Sequence, residues 1–150
     1  NSAKLIALDY KDFLLVSDKT AVLFANEAFY VAFLSGDYDA MESLWAHNAP
    51  VSCIHPGWHH LMGRDVVMES WQSLLQNAEL PDMNYSNAVA RVYGNTALVI
   101  CYETFPEALL VATNVFVREE ANWKLVHHQS GGSSEMPDLE LGDDSPGTLQ

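Results

Sequence analysis

From Thr20 onward the apolar residues Val22, Ala25, Phe29, Ala32 and Phe33 recur at helical spacing, which predicts an amphipathic helix. Ser17 and Asp18 stand just before it and offer N-cap oxygens. Gly36 suits the left-handed position that ends such a helix. Asp37 can cap a second helix, on which Met41, Leu44 and Trp45 share a face. Two helices therefore meet at Ser35-Gly36-Asp37 as a hairpin. Tyr10–Val16 reads equally as a short helix or a strand. Beyond Pro50, Val51-Ser52-Cys53-Ile54-His55 alternates like a strand, with Val51, Cys53 and His55 on one face. Pro56-Gly57 forces a turn. After Gly63, Val67, Trp71 and Leu74 form the stripe of a third helix that ends near Asn77.

The rest of the body is β. Met83–Tyr93 and Thr96–Phe105 flank Gly94-Asn95, a two-residue hairpin signal. Leu109–Arg118 and Trp123–Ser130 flank Glu119–Asn122, a second hairpin. Such long strands, rich in Val, Tyr and Thr, must curl or be covered to hide an apolar face. Helices grouped on one side of an antiparallel sheet define the α+β class. Residues 131–150 change to Gly, Ser, Pro, Asp and Glu, the composition of an acidic tail. The domain is thus expected over residues 20–130, with an N-terminal extension over 1–19.

Composition narrows the function. The chain has 150 residues, of which 49% are hydrophobic, enough for one sizeable core. The net charge is −13, from 20 acidic and 7 basic residues. That balance argues against nucleic acid, whose phosphates need clustered Lys and Arg, and against an anionic membrane surface. No apolar run is long enough to span a bilayer. Leu5 to Val16 is broken by Asp9, Lys11 and Asp12, a poor signal peptide. Cys53 and Cys101 lie in apolar strand-like runs and make no disulfide framework. Buried free thiols in a cytoplasmic setting are expected.

Several stretches resemble the nuclear transport factor 2-like superfamily. Ala25-Asn26-Glu27-Ala28-Phe29-Tyr30 through Ser35-Gly36-Asp37-Tyr38-Asp39-Ala40-Met41 resembles its first helix and the turn that follows. Val51 through Trp58, with Gly63-Arg64 and Ser70-Trp71, resembles a bacterial SnoaL-like subgroup related to ketosteroid isomerase. Trp123 through Ser130 resembles the last strand of that family and also the association domain of calcium/calmodulin-dependent kinases. The resemblance implies a cystatin-like cone roll, three N-terminal helices packed on a strongly curved, mostly antiparallel sheet. It also implies a pocket inside the cone and a homodimer through the sheet's outer face.

His55 is the leading candidate for chemistry. It ends a strand before a Pro-Gly turn, and an imidazole can move protons near neutral pH; the alternative is a histidine that bonds the turn. His55, His59 and His60 do not make a metal site, because Pro56-Gly57 precludes a helix that would align them. His127 and His128 point to opposite faces of one strand. If Trp123 and Leu125 face inward, His127 joins them, although Val126 with His128 is nearly as apolar.

Trp45, Trp58, Trp71, Tyr85, Tyr93 and Phe116 could line a pocket for a small apolar or aromatic molecule or simply fill the core. Of Tyr102 and Glu103 only one can face inward, and Asn114 is a buried polar candidate that needs partners. Asp65 and Glu69 read as solvated, and Arg64 as half of an ion pair or a carboxylate-binding cation. Ser130-Gly131-Gly132-Ser133-Ser134 lacks the phosphate-loop pattern and its Lys, and no cofactor is expected.

The leading expectation is a homodimeric small-molecule-binding domain with His55, Tyr102 and His127 as its reactive groups. An isomerase, dehydratase or cyclase using His55 and a Tyr as acid and base is the alternative. A protein association module is a third.

Overall fold

A computed structural model describes residues 9–76 and 79–138 of the chain. The extension expected over 1–19 and the tail expected over 131–150 therefore fall partly outside the described residues. Three helices, α1 (Tyr10–Ser35), α2 (Tyr38–Leu44) and α3 (Arg64–Leu75), accompany six strands. The strands are β1 (Ser52–Ile54), β2 (Leu61–Met62), β3 (Asn84–Tyr93), β4 (Thr96–Thr104), β5 (Leu109–Glu119) and β6 (Asn122–Gly132). They form one sheet in the order β2-β1-β6-β5-β4-β3. Every pairing is antiparallel except β1 with β6. No described helix is long and apolar enough to cross a membrane.

The first helix starts earlier than its apolar spacing predicts. No Pro or Gly interrupts residues 10–35, and Asp9, not Ser17 or Asp18, is the N-cap, accepting from the Lys11 amide at 3.5 Å. Asp18 is mid-helix because it pairs with Arg118 of β5. That guanidinium also stacks on Trp123, 4.6 Å from the ring centroid.

The turns lie where the punctuating residues predict them. Gly36 adopts φ 68° and its amide bonds back to Ala32 and Phe33, the left-handed end of a helix. Asp37 accepts from Ala40 N at 3.0 Å and starts α2. Gly94 has φ 63° and closes the β3–β4 hairpin, with Tyr93 opposite Thr96.

Two side chains bind the segment after α2. The Arg64 guanidinium donates to the carbonyls of Trp45, Ala46 and Glu42, each at 3.0 Å. It thereby satisfies backbone acceptors that a helix end leaves orphaned. Glu119 accepts the amides of His47, Asn48 and Ala49 at 3.0, 2.8 and 2.9 Å. Desolvation would raise its carboxyl, but these three amide bonds outweigh it and hold the group below the ordinary value.

Phe29 and Val22 of α1, Met41 of α2, Val67 and Trp71 of α3 and the inward residues of β4, β5 and β6 form the core. Each large aromatic there removes roughly 150–250 Å² from water. The inward set alternates along β4 as Ala97, Val99, Cys101 and Glu103, and along β5 as Ala112, Asn114 and Phe116. In β6 the alternation breaks. Phe116 pairs with Leu125 while Val115 pairs with His127, so Val126 is an extra residue, a β-bulge.

An alanine at position 36 would have to hold positive φ, and its Cβ would come to 2.9 Å from Leu80 Cδ2. Gly36→Ala is expected to destabilise the domain by about 1–2 kcal/mol; a urea midpoint equal to that of the parent would contradict this account of the α1–α2 turn.

Candidate functional site

Polar side chains gather where α1 crosses β4, β5 and β6. Asn26 and Tyr30 lie one helical turn apart on the buried stripe of α1 and are 1% and 0% exposed. Asn114 is their partner on β5: its Nδ2 donates to Asn26 Oδ1 at 2.8 Å and to the Tyr30 hydroxyl at 3.3 Å. Tyr30 donates to Glu103 Oε2 at 2.7 Å, and Cys101 Sγ lies 3.1 Å from the same hydroxyl. Tyr85 stacks on Tyr30 with centroids 4.6 Å apart. Burial raises the Glu103 carboxyl above its ordinary value, against the pull of the Tyr30 bond. Burial likewise holds the Tyr30 hydroxyl protonated.

Two imidazoles adjoin this network. His128 Nδ1 bonds to Asn114 Oδ1. A carbonyl oxygen only accepts, so Nδ1 carries the hydrogen and Nε2 is a bare lone pair. His55 Nε2 lies 2.9 Å from Ser70 Oγ, which donates its one proton to the Val67 carbonyl at 2.7 Å. The hydrogen between His55 and Ser70 is therefore on Nε2, and Nδ1 is the bare atom. The weakly donating Cys53 thiol lies 3.9 Å from Nδ1 and 3.7 Å from Nε2. Burial lowers His55 to about 4. Burial, with repulsion from His55 and His127, lowers His128 to about 3.

Aromatic rings enclose the pair. Trp71 stands edge-on to His55 at 4.9 Å and 6.0 Å from His128. Phe29 lies 5.0 Å from His128 and 5.5 Å from Trp71. The indole N–H of Trp71 is buried without a partner, as are those of Trp45 and Trp123. On the solvent side Trp58, 45% exposed, folds back edge-on against His55 at 4.9 Å. The turn that brings it there is closed by Trp58 N to His55 O at 2.9 Å.

Several residues expected at the site lie elsewhere. The bulge at Val126 restarts the alternation, so His128 faces inward and His127 outward, where its Nδ1 bonds Ser52 Oγ at 2.7 Å. Tyr102 alternates with the inward Glu103 and lies on the outer face, opposite Val111 of β5. Tyr93, at the hairpin end of β3, is 61% exposed and away from the cluster. Trp45 and Phe116 are fully buried core residues. Arg64 is half of an ion pair, as read from the sequence, with the Glu42 carboxylate at 3.7 Å, and His59 and His60 are exposed, in keeping with their exclusion as a metal site. No group of metal-binding side chains occurs among the described residues.

Sequence reasoning missed Asn26, Tyr30 and Ser70. The signal for the first two was present: polar residues four apart, beside Val22 and Phe29 on the apolar stripe.

The buried histidines make stability depend on pH. The unfolded chain protonates each near 6.5, whereas the folded chain holds them neutral down to about 4 and about 3. The unfolded state binds more protons in that window, so stability falls as pH drops through it. The slope reaches at most about 1.4 kcal/mol per pH unit for each histidine. His55→Gln and His128→Gln should each remove one proton's share, read from urea unfolding across that range; slopes unchanged in both variants would refute neutral burial.

A SnoaL-like domain model matches residues 22–134. A provisional dehydratase of the NTF2-like family from Streptomyces avermitilis is 33% identical, with a TM-score of 0.72 over 81% of this chain and 99% of that one. A provisional calcium/calmodulin-dependent protein kinase type II association domain from Thiobacillus denitrificans is 31% identical, with a TM-score of 0.65 over 73% of this chain and 93% of that one. The F-box protein SKIP8 of Arabidopsis thaliana is 26% identical over 140 residues, which cover 83% of this chain. The chain spans 61% of that relative's length. Solved structures at 15 to 18% identity carry the cystatin-like fold. The chain belongs to the SnoaL-like domain family of the NTF2-like superfamily.

Proposed function

We propose that this domain binds a small apolar or aromatic molecule at the corner where His55 and His128 meet Phe29, Trp58 and Trp71. One observation carries the reading: two buried, neutral imidazoles stand among aromatic rings beside an indole N–H that has no partner among the described residues. A core built only for stability has little use for such groups, because each unpaired polar atom costs roughly 1–3 kcal/mol. Binding sites of this kind combine apolar walls with a few converging polar groups. The free, buried thiols of Cys53 and Cys101 suit a reducing, cytoplasmic setting.

A thermal-shift screen of small aromatic alcohols, ketones, steroids and polyketide-like rings tests the proposal. A ligand at a hundred times its dissociation constant adds about 2.7 kcal/mol of stability. His55→Ala is expected to weaken that shift while leaving the unliganded domain folded; a shift of undiminished size would remove His55 from the site.

Acid–base catalysis is the second reading, favoured by the 33% identity with the provisional dehydratase. Loss of water needs a proton taken from carbon and a proton given to the departing hydroxyl. His55 Nδ1 would do both in turn, taking the proton as the C–H bond breaks and, once charged, giving it to the hydroxyl as the C–O bond breaks, in place of the expected pairing with Tyr102. Because the base must be neutral, kcat/KM should fall as pH is lowered through about 4, the His55 value. An acid limb unmoved by His55→Gln would assign the proton transfer elsewhere.

The domain is also proposed to pair with a second copy through the outer face of the sheet. Leu98, Ile100 and Tyr102 of β4 lie there opposite Val115, Thr113 and Val111 of β5, and Ile100 is 41% exposed. Ile100→Glu should convert a sedimenting dimer to monomer; a parent protein that already sediments as a monomer would end this proposal.

A further inference from the structure

We infer that a cavity of about 200 Å³ between the C-terminal ends of α1 and α3 binds a small organic cation, an ammonium carried on a single ring as in an aralkylamine. The site shares no residue with the His55–His128 corner and stands without it. Phe33, Leu74, Leu75 and Pro81 form its apolar walls, and Glu79 is its one charged lining residue among the described residues. Phe33 belongs to the last turn of α1, and Leu74 and Leu75 to the last turn of α3. The two helix ends meet: the Leu75 carbonyl oxygen lies 3.4 Å from where a Cβ on Gly36 would stand.

The surroundings give this cavity a negative field. The last turn of a helix holds carbonyls without intrahelical partners, and its aligned peptide dipoles place about half a negative charge there. Two such ends converge here, and neither carries a basic residue in its last turn. Glu79, exposed at the cavity, adds a full charge. No Lys or Arg occurs between Lys19 and Arg64 or between Arg64 and Arg91, whereas eight acidic residues do. Arg64 itself opens α3, at the other end of that helix, and bonds the carbonyls of Glu42 and Trp45. The positive end of the short α2 starts beside Gly36, but the Asp37 carboxylate accepts its Ala40 amide and offsets it.

The walls decide the rest of the ligand. Water finds few partners on four apolar residues, whereas a ring covers them. A protonated amine supplies three donors, and the Glu79 carboxylate and the helix-end carbonyls only accept. A carboxylate meets the same field with the wrong sign. A neutral alcohol gains the walls without the field, and an unbranched alkylamine gains the field but leaves much of the walls uncovered.

Benzylamine, benzyl alcohol, benzoate and n-butylamine test this, titrated into the isotope-labelled whole chain at neutral pH and low salt and followed by amide chemical shifts. Benzylamine is expected to bind about tenfold tighter than benzyl alcohol or benzoate, to move the amides of Phe33, Gly36, Leu75 and Gln76, and to weaken as salt is raised. n-Butylamine should bind about threefold or more weakly than benzylamine. Glu79→Gln, at an exposed position, should weaken benzylamine severalfold and leave benzyl alcohol unmoved. Leu74→Arg places a cation where a helix end favours one and should abolish amine binding, its amide spectrum confirming the fold. An alcohol or carboxylate that binds as tightly as benzylamine, or n-butylamine matching it, overturns the inference. Shifts confined to the His55–His128 corner overturn it too and leave that site standing, and the absence of any shift overturns it outright.

Discussion

The hydrogen bond between Asn26 and Asn114 joins the long first helix to the middle of the sheet, and much of the interior follows from it. Both amides are fully buried, so each must find partners or cost several kcal/mol. Holding Asn114 Nδ2 on Asn26 leaves its oxygen for His128. That choice sets which nitrogen of His128 carries the hydrogen. One helical turn on, Tyr30 reaches Glu103 and Cys101. The helix is thereby held at one position and rotation on the sheet, which apolar contacts alone, being non-directional, specify less sharply.

The same network explains why the site is chemically quiet in isolation. Every inward ionisable group is pushed toward its neutral form by burial, and the two cysteines are pushed up to about 12 and about 11. A corner of that kind suits recognition of a polar group on an otherwise apolar molecule. It also suits proton transfer in which a neutral imidazole is the acceptor. Solved structures described as a provisional dehydratase and a provisional association domain share the architecture, so the fold does not choose among roles and the side chains must.

Much of the architecture is legible in local spacing. The helix stripes, Gly36, Pro56-Gly57 and Gly94-Asn95 mark elements whose signals lie within a few residues of one another. The start of α1 was not legible, because Asp18 looks like a cap and is in fact held by Arg118, one hundred positions away. The inward places of Glu103 and Asn114 follow from strict alternation along β4 and β5, once a face is chosen. His128 does not follow, since the bulge at Val126 is visible only when β6 is laid against β5. Tyr30 and Asn26 stand on an otherwise apolar stripe, where periodicity of apolar residues alone does not mark them.

That bulge makes the pairing of the backbone, rather than side-chain identity, the arbiter of what the cone contains. In a strand each neighbour points the other way, so a regular strand that kept Val126 in the ladder would carry His127 inward and His128 outward, whereas the bulge keeps His128 inward. Both are histidines, yet only one register puts an imidazole against Asn114. A strand that gains or loses the bulge can therefore exchange its interior chemistry in a single step, with every letter of its sequence unchanged.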